Sequence, residues 1–363
     1  LCLVGALKHT GQSTIHKIEY DSEPYGDALR QLQEQIEEAD LLVLFNAKRD
    51  LHWLRRYGIQ FQHKYVWDVQ IAHFVMGGQE EPYPSLDGVA EHYKLGLKSN
   101  DLYEEFFSKQ IDTDTIPLGT LVPYLEQDLA LTAKCYEAQM ACLKDNPAML
   151  RLIRLQCIDL LILEEMEWNG LILDVEACAS KGDDIRQQIE SLDRQLSTLV
   201  DGLSINWNSG DQLSAVLYGG EIKTMVKRAD GVYKTGKRAG QIKYRNELQV
   251  TRCERLVQPL PRTELAKYGY WETNEGVLRS LRATGKAKAI ITVLLERAKL
   301  EKLVSSYYEG LPRQISDMGW DGNTIHGTLN QCVAATGRLS SSKPNLQNNP
   351  KEIDKLFRSR YED

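Results

Sequence analysis

Apolar and polar residues change rhythm several times along this chain, and each rhythm predicts an element. Two short apolar runs, LCLVGAL (1–7) and STIHKIEY (13–20), read as neighbouring strands. The stretch PYGDALRQLQEQIEEA (24–39) repeats its apolar positions at helical spacing. DLLVLF (40–45) is a continuous apolar run, as a buried strand requires, and NAKRDLHWLRRYG (46–58) is a helix closed by Gly58. PYPSLDGVAEHYKLG (82–96) and VPYLEQDLALTAKCYEAQM (122–140) predict further helices. Alternation of strand and helix over this front part predicts an α/β domain.

The rhythm becomes helical after Pro147. RLIRLQCIDLLILEEMEWNG (151–170) is a long amphipathic helix ending at Gly170. LILDVEA (171–177) is a short extended piece whose Asp174 caps a helix reaching Leu203. NSGDQLSAVLYGG (208–220) opens with a Ser-x-x-Gln capping box, Ser209 and Gln212. TNEGVLRSLRATG (273–285) and KAIITVLLERAKLEKLVSSYYEG (288–310) are helices again. Between them lies a basic, Gly-containing protrusion, 222–250, with Lys223, Lys227, Arg228, Lys234, Lys237, Arg238, Lys243 and Arg245 against Asp230 and Glu247. The chain closes on a polar loop, ATGRLSSSKPNLQNNP (335–350), built around Arg338.

Composition narrows the class. The 363 residues are 42% hydrophobic and 26% charged, ordinary for a globular protein, and no run approaches the ~20 apolar residues of a membrane span. Seven scattered cysteines without a C-x-x-C predict free thiols in a reducing compartment, not a disulfide framework or zinc site. The net charge of −7 is uneven: residues 1–150 hold 13 Lys and Arg against 23 Asp and Glu, a net −10, and residues 151–363 hold 31 against 28, a net +3. An acidic front permits a carboxylate-rich metal site; the rear must meet a polyanion through local patches.

Two constellations in the front carry candidate chemistry. Asn46 and Asp50 stand at the junction of a buried strand and a helix, the edge where α/β sheets place ligands. Asp50 reads either as a ligand aimed into that crevice or as a carboxylate favoured by the helix dipole. Tyr124 and Asp128, four residues apart, share a helical face. They suit a water held beside a metal, or a partly buried phenol bonded within its own helix.

Together these pieces, with WDVQIAHFVM (67–76) and SLDGVAEHYKLGLK (85–98), resemble the second and third motifs of proofreading 3′–5′ exonucleases. The resemblance implies a two-metal site with magnesium, Asp128 as a direct ligand, Asp50 holding the second ion and Tyr124 orienting the attacking water. Two ions about 4 Å apart need several carboxylates. The Asp-x-Glu motif of the family's first strand is missing; Asp21-Ser22-Glu23 follows a strand and precedes a helix, so it reads as a loop, not that strand.

The closing loop resembles the first palm motif of family A DNA polymerases, the polymerase I type, and LEEMEWNGLILDVEA and LLERAKLEKLVSSYYEGLPRQI resemble that family's thumb. The basic protrusion looks like an insertion of phage-like members. The implied fold is a truncated ribonuclease H-like α/β exonuclease domain (1–146), a mostly helical thumb (147–318) with the insertion 222–250, and the first strands of an α+β palm (319–363). Sequence-independent DNA binding relies on phosphates and the minor groove. Arg338, Asn345 and Gln347 suit the groove edge; Ser340, Ser341 and Ser342 suit phosphates; Lys234, Lys237 and Arg238 suit phosphate tracking.

The implied parent protein is a magnesium-dependent DNA-directed DNA polymerase with proofreading. It acts on primer–template DNA, single-stranded 3′ ends and deoxynucleotides, as a monomer in the cytoplasm, or a host's cytoplasm if viral. The sequence holds neither palm aspartate nor the nucleotide-binding lysine of that family, so the expectation for these residues is DNA binding as an internal piece without catalysis. Two alternatives stay open: a stand-alone RNase D-like exonuclease with a helical appendage, and a non-catalytic DNA-binding module.

Overall fold

The computed structural model describes residues 2–8, 11, 13–18, 25–96, 106–109, 111, 115–235, 240–267 and 269–358. They divide into two units, Leu1–Ile172 with Thr324–Asp363, and Leu173–Asn323. The fold is mixed α/β and mostly helical.

In the first unit, β1 (Cys2–Leu7) and β2 (Ser13–Ile18) form an antiparallel hairpin. Helix α1 (Tyr25–Glu38) leads to β3 (Leu41–Leu44), α2 (Ala47–Arg56) and β4 (Tyr65–Asp68). Strands β3 and β4 are parallel, with Leu44 opposite Asp68, so α2 is the crossover that parallel pairing demands. Helices α3 (Val69–Met76), α4 (Leu86–His92), α5 (Leu118–Leu143) and α6 (Pro147–Asn169) follow. Both β1 and β3 rest on α5, yet they belong to separate ladders. The core gathers Leu51, Phe61, Val69 and Ala72 with Leu131 and Cys135 of α5, Ile153, Cys157 and Leu160 of α6, and Cys332 from near the end of the chain. Cys332 thereby ties the rear of the chain to the core of the front half.

That return is fixed by backbone. Gly170 ends α6 at φ 63°, and a Cβ there would stand 2.6 Å from the Ile325 carbonyl oxygen, so only glycine fits. Strand β5 (Leu171–Leu173) then pairs Leu171 with Ile325 and Ile172 with Thr324 of β8 (Thr324–Ile325). Strands β9 (Thr328–Asn330) and β10 (Ser340–Ser342) pair antiparallel, with Ser341 opposite Leu329.

In the second unit Asp174 caps α7 (Val175–Leu199), its carboxylate accepting from the Ala177 N–H at 2.9 Å as expected. Helix α8 (Gly210–Tyr218) opens on Ser209, whose Oγ accepts from Gln212 N, but the side-chain Oε1 of Gln212 accepts from Asn206 N, so the reciprocal arm of the predicted box reaches further back. The basic protrusion is a long antiparallel ribbon, β6 (Gly220–Val232) and β7 (Ile242–Cys253). The single helix expected over 288–310 is interrupted: α10 (Gly285–Leu303) passes through a π-helical turn, Val304–Tyr308, into α11 (Gly310–Met318), after the short α9 (Glu275–Ser280). Leu196, Leu217, Tyr218, Ile290 and Leu294 form the core. Buried Arg297 is held by Asp193 at 2.6 Å and Asn208 Oδ1 at 2.8 Å. No helix among the described residues is long and apolar enough to cross a membrane.

Candidate functional site

The strand–helix junction after β3 places the front carboxylates. Asn46 is the N-cap of α2 in a left-handed conformation, φ 55°, without a side-chain capping bond, and it is exposed. The cap role passes to Asp68 at the end of β4. Its Oδ2 accepts from Ala47 N at 2.6 Å, and its Oδ1 from Gln70 N at 2.8 Å and Ile71 N at 3.1 Å. One buried carboxylate thereby satisfies orphan donors at the starts of both α2 and α3.

Asp50 lies one turn into α2, near enough to Asp68 and Asp128 to feel both charges. Desolvation pushes its carboxyl up to about 7, with those two carboxylates adding and Arg49 opposing. Asp50 is solvent-exposed, so solvent screens part of this effect. Tyr124 and Asp128 are partly buried, one turn apart on α5.

The folded protein retains a proton on Asp50 that the unfolded chain releases above pH ~4, so stability falls as pH rises from about 4 to about 7. Asp50→Asn is expected to raise the melting temperature at pH 8 and leave it unchanged near pH 4. For an exposed residue the gain is on the order of 1 kcal/mol. Equal shifts at both pH values would show that Asp50 is not crowded in this way.

Among the described residues no group of three or more His, Cys, Asp or Glu could hold a metal ion. Asp68 is occupied by backbone donors, which leaves Asp50 and Asp128 where a pair of divalent ions needs several carboxylates. The residues described do not make a two-ion site by themselves. Asp21-Ser22-Glu23 lies outside the described residues.

The closing loop is shaped by its own hydrogen bonds. Gly337 takes φ +71°, and its N–H donates to the Ala334 carbonyl at 2.9 Å. The loop after α3 braces it: Tyr83 N donates to the Cys332 carbonyl at 2.9 Å. Arg338, Asn345 and Gln347 are exposed, and Asn345 Oδ1 accepts from Gln347 N at 3.0 Å. Ser340 is half-buried, and Ser342 Oγ accepts from Asn330 Nδ2 at 3.1 Å. Ser341 is buried; its hydroxyl donates to the Pro344 carbonyl at 3.3 Å and accepts from Leu346 N at 3.1 Å. The hydroxyl expected to meet a phosphate instead ties the loop together. Lys234 is exposed in the second unit, while Lys237 and Arg238 lie outside the described residues.

Sequence reasoning missed the polar network that joins α2, α6 and β9. Glu167 Oε1 accepts from Lys48 Nζ and from Leu329 N, both at 2.6 Å, and Oε2 meets His52 Nε2 at 2.9 Å. Lys48 also reaches the Leu329 carbonyl. Glu164 takes Arg55 in a fork at 2.9 and 2.6 Å. The spacing of the two glutamates, three apart on α6 within LEEMEWNG, was the one available signal.

Residues 232–361 match the DNA polymerase family A profile. DNA polymerase I of Chloroflexus aurantiacus is 30% identical over 312 residues, covering 84% of this chain and 28% of that protein. The thermostable DNA polymerase I of Thermus filiformis is 32% identical over 189 residues, 52% of this chain and 18% of that protein. In fold, the chain is similar to the polymerase domain of Pol1 from M. smegmatis, solved in complex with DNA primer-template and dNTP. The TM-score is 0.66 at 19% identity, over 98% of this chain and 54% of that one. The chain spans less than a third of the length of these curated relatives. Residues 232–361 thus match the family A DNA polymerase model, and 84% of the chain is similar in sequence to a DNA polymerase I.

Proposed function

We propose that the chain corresponds to three parts of a family A DNA polymerase: an exonuclease-like domain over 1–146, a thumb over 147–318 with the insertion 222–250, and the start of the palm over 319–363. In this reading the whole protein extends primers on a DNA template with magnesium and removes mismatched 3′ ends. These residues contribute the grip on primer–template DNA. The closing loop carries the reading: the buried Ser341 hydroxyl ties it internally, and Arg338, Asn345 and Gln347 are each exposed on it. Guanidinium and amide groups of this kind suit minor-groove acceptors, which vary little between base pairs.

The proofreading part of the reading rests on Asp50 beside Asp128, with Tyr124 one turn earlier. The remaining carboxylates belong, by resemblance, to an Asp-x-Glu strand. A stand-alone exonuclease with a helical appendage does not account for the family match over 232–361.

Arg338→Ala is expected to weaken binding to a primer–template junction about tenfold, ~1.4 kcal/mol. The salt dependence should stay nearly unchanged, because the contact is groove edge rather than phosphate. Fluorescence anisotropy across a salt series measures both. Loss of slope without loss of junction affinity would reassign Arg338 to the phosphate backbone.

A further inference from the structure

The β6–β7 ribbon has a fixed root and a free blade. Ile222 is buried in the core of the second unit, Tyr270 Oη donates to the Glu221 carbonyl at 3.1 Å, and Arg255 Nε donates to the Tyr218 carbonyl at 3.0 Å. From Lys223 outward no described residue of the ribbon is buried.

Pleating sorts the blade into two faces, because directly opposed residues of paired strands share a face. Lys223 opposes Val250, Met225 opposes Leu248, Lys227 opposes Asn246 and Ala229 opposes Tyr244, all on one face. Thr224 with Gln249, Val226 with Glu247 and Arg228 with Arg245 make the other. The first face is therefore an apolar stripe with an aromatic ring and two lysines. Met225 is 61% exposed, Tyr244 57%, Leu248 54% and Val250 45%. A two-stranded blade has no core, so folding alone gives these side chains nothing to pack against. On the other face two guanidinium groups stand directly opposed, a repulsive pairing that Glu247 relieves only at Arg228, at 3.2 Å.

We propose that this blade is a platform for single-stranded nucleic acid. Bases lie on Tyr244, Met225, Leu248 and Val250, while Lys223 and Lys227 on the same face neutralise the phosphates, and Arg228 and Arg245 on the opposite face add to the positive field that draws the strand. Glu221 at 3.9 Å and Glu247 at 3.2 Å offset Lys223 and Arg228 in part, but cations still outnumber acids along the ribbon, and that surplus selects a polyanion. The apolar stripe selects a single strand over a duplex, because a duplex keeps its base faces stacked inside and offers only phosphates and groove edges. A clamp for duplex phosphates uses the same lysines and arginines but has no use for a stripe of Tyr, Met, Leu and Val. The proposal rests on the reading that the chain binds DNA, and it adds a contact for unpaired strand on other residues.

Anisotropy titrations of the full chain decide it, using an oligothymidylate of about 20 nucleotides, a blunt duplex of equal length and a primer–template with no unpaired overhang beyond one base. The wild type is expected to bind the single strand more tightly than the blunt duplex at equal ionic strength. Tyr244→Ala is expected to weaken the single strand about tenfold, the loss of one stacked base, and Tyr244→Phe to restore it. Binding to the primer–template should change less than twofold in either variant. A single-strand affinity within twofold of wild type for Tyr244→Ala, with primer–template binding intact, overturns the platform and leaves the polymerase reading standing. Equal losses on duplex and single strand also overturn it, in favour of a phosphate clamp. Absence of binding to all three DNAs by the wild type removes both readings. Binding of polyglutamate that Tyr244→Ala abolishes, without single-strand binding, overturns the platform in favour of an acidic protein partner.

Discussion

Glu167→Ala is expected to destabilise the first unit by about 3–5 kcal/mol, the usual cost of breaking a buried ion pair from one side. Glu167 is the hub on which α2, α6 and β9 meet, and its side chain is only 8% exposed. Burial pushes its carboxyl up, but His52, Lys48 and the Leu329 N–H outweigh burial and hold it below its ordinary value. Alanine strands the Lys48 ammonium in a site that is itself 13% exposed and orphans the Leu329 N–H. Arg55 keeps Glu164, and its guanidinium lies over the Phe61 and Trp168 rings, so the damage is centred on Lys48 and β9. Urea unfolding followed by a probe in α2 measures the loss. A change under about 1 kcal/mol would mean that the network is no stronger than a surface pair.

Asp68→Ala is the second large effect, about 2–4 kcal/mol. Burial pushes this carboxyl up, and backbone N–H donors, Ala47 foremost, pull the other way. Its removal leaves the N–H groups of Ala47, Gln70 and Ile71 without their acceptor in a buried place. Each unsatisfied donor carries a desolvation penalty of about 1–3 kcal/mol, partly relieved if water enters. Asp68→Asn keeps one acceptor oxygen and is expected to lose about half as much. If alanine and asparagine melt alike, within a degree of wild type, Asp68 is not the cap of two helices.

Much of this was legible in the sequence. Continuous apolar runs and helical spacing located β3, α2 and α5, and short motifs in the front and rear pointed to the same family. Asp50 and Asp128 were found because they sit in such motifs. Asp68 was not: in the run WDVQ nothing distinguishes a cap from any other acid, since its partner Ala47 lies 21 residues away. Nothing local to LEEMEWNG marks Glu164 and Glu167 as buried; their partners lie on α2, more than a hundred residues earlier. The ribbon escaped because its alternation sets apolar residues against lysines rather than against a core, so the charge run masked the period of two. The burial of Ser341 was not legible either: a serine-rich loop suggests open hydroxyls, yet this one lies inside and accepts from Leu346 N.

We propose that the closing loop grips the end of a primer paired to its template. Titrating wild type and Arg338→Ala with a recessed 3′ junction, a blunt duplex and a single strand tests it most directly. The account predicts that the wild type prefers the junction, and that Arg338→Ala loses about tenfold of that preference while single-strand affinity and salt slope stay within twofold. A wild type indifferent to the junction, or an Arg338→Ala variant that keeps the full preference, would contradict it.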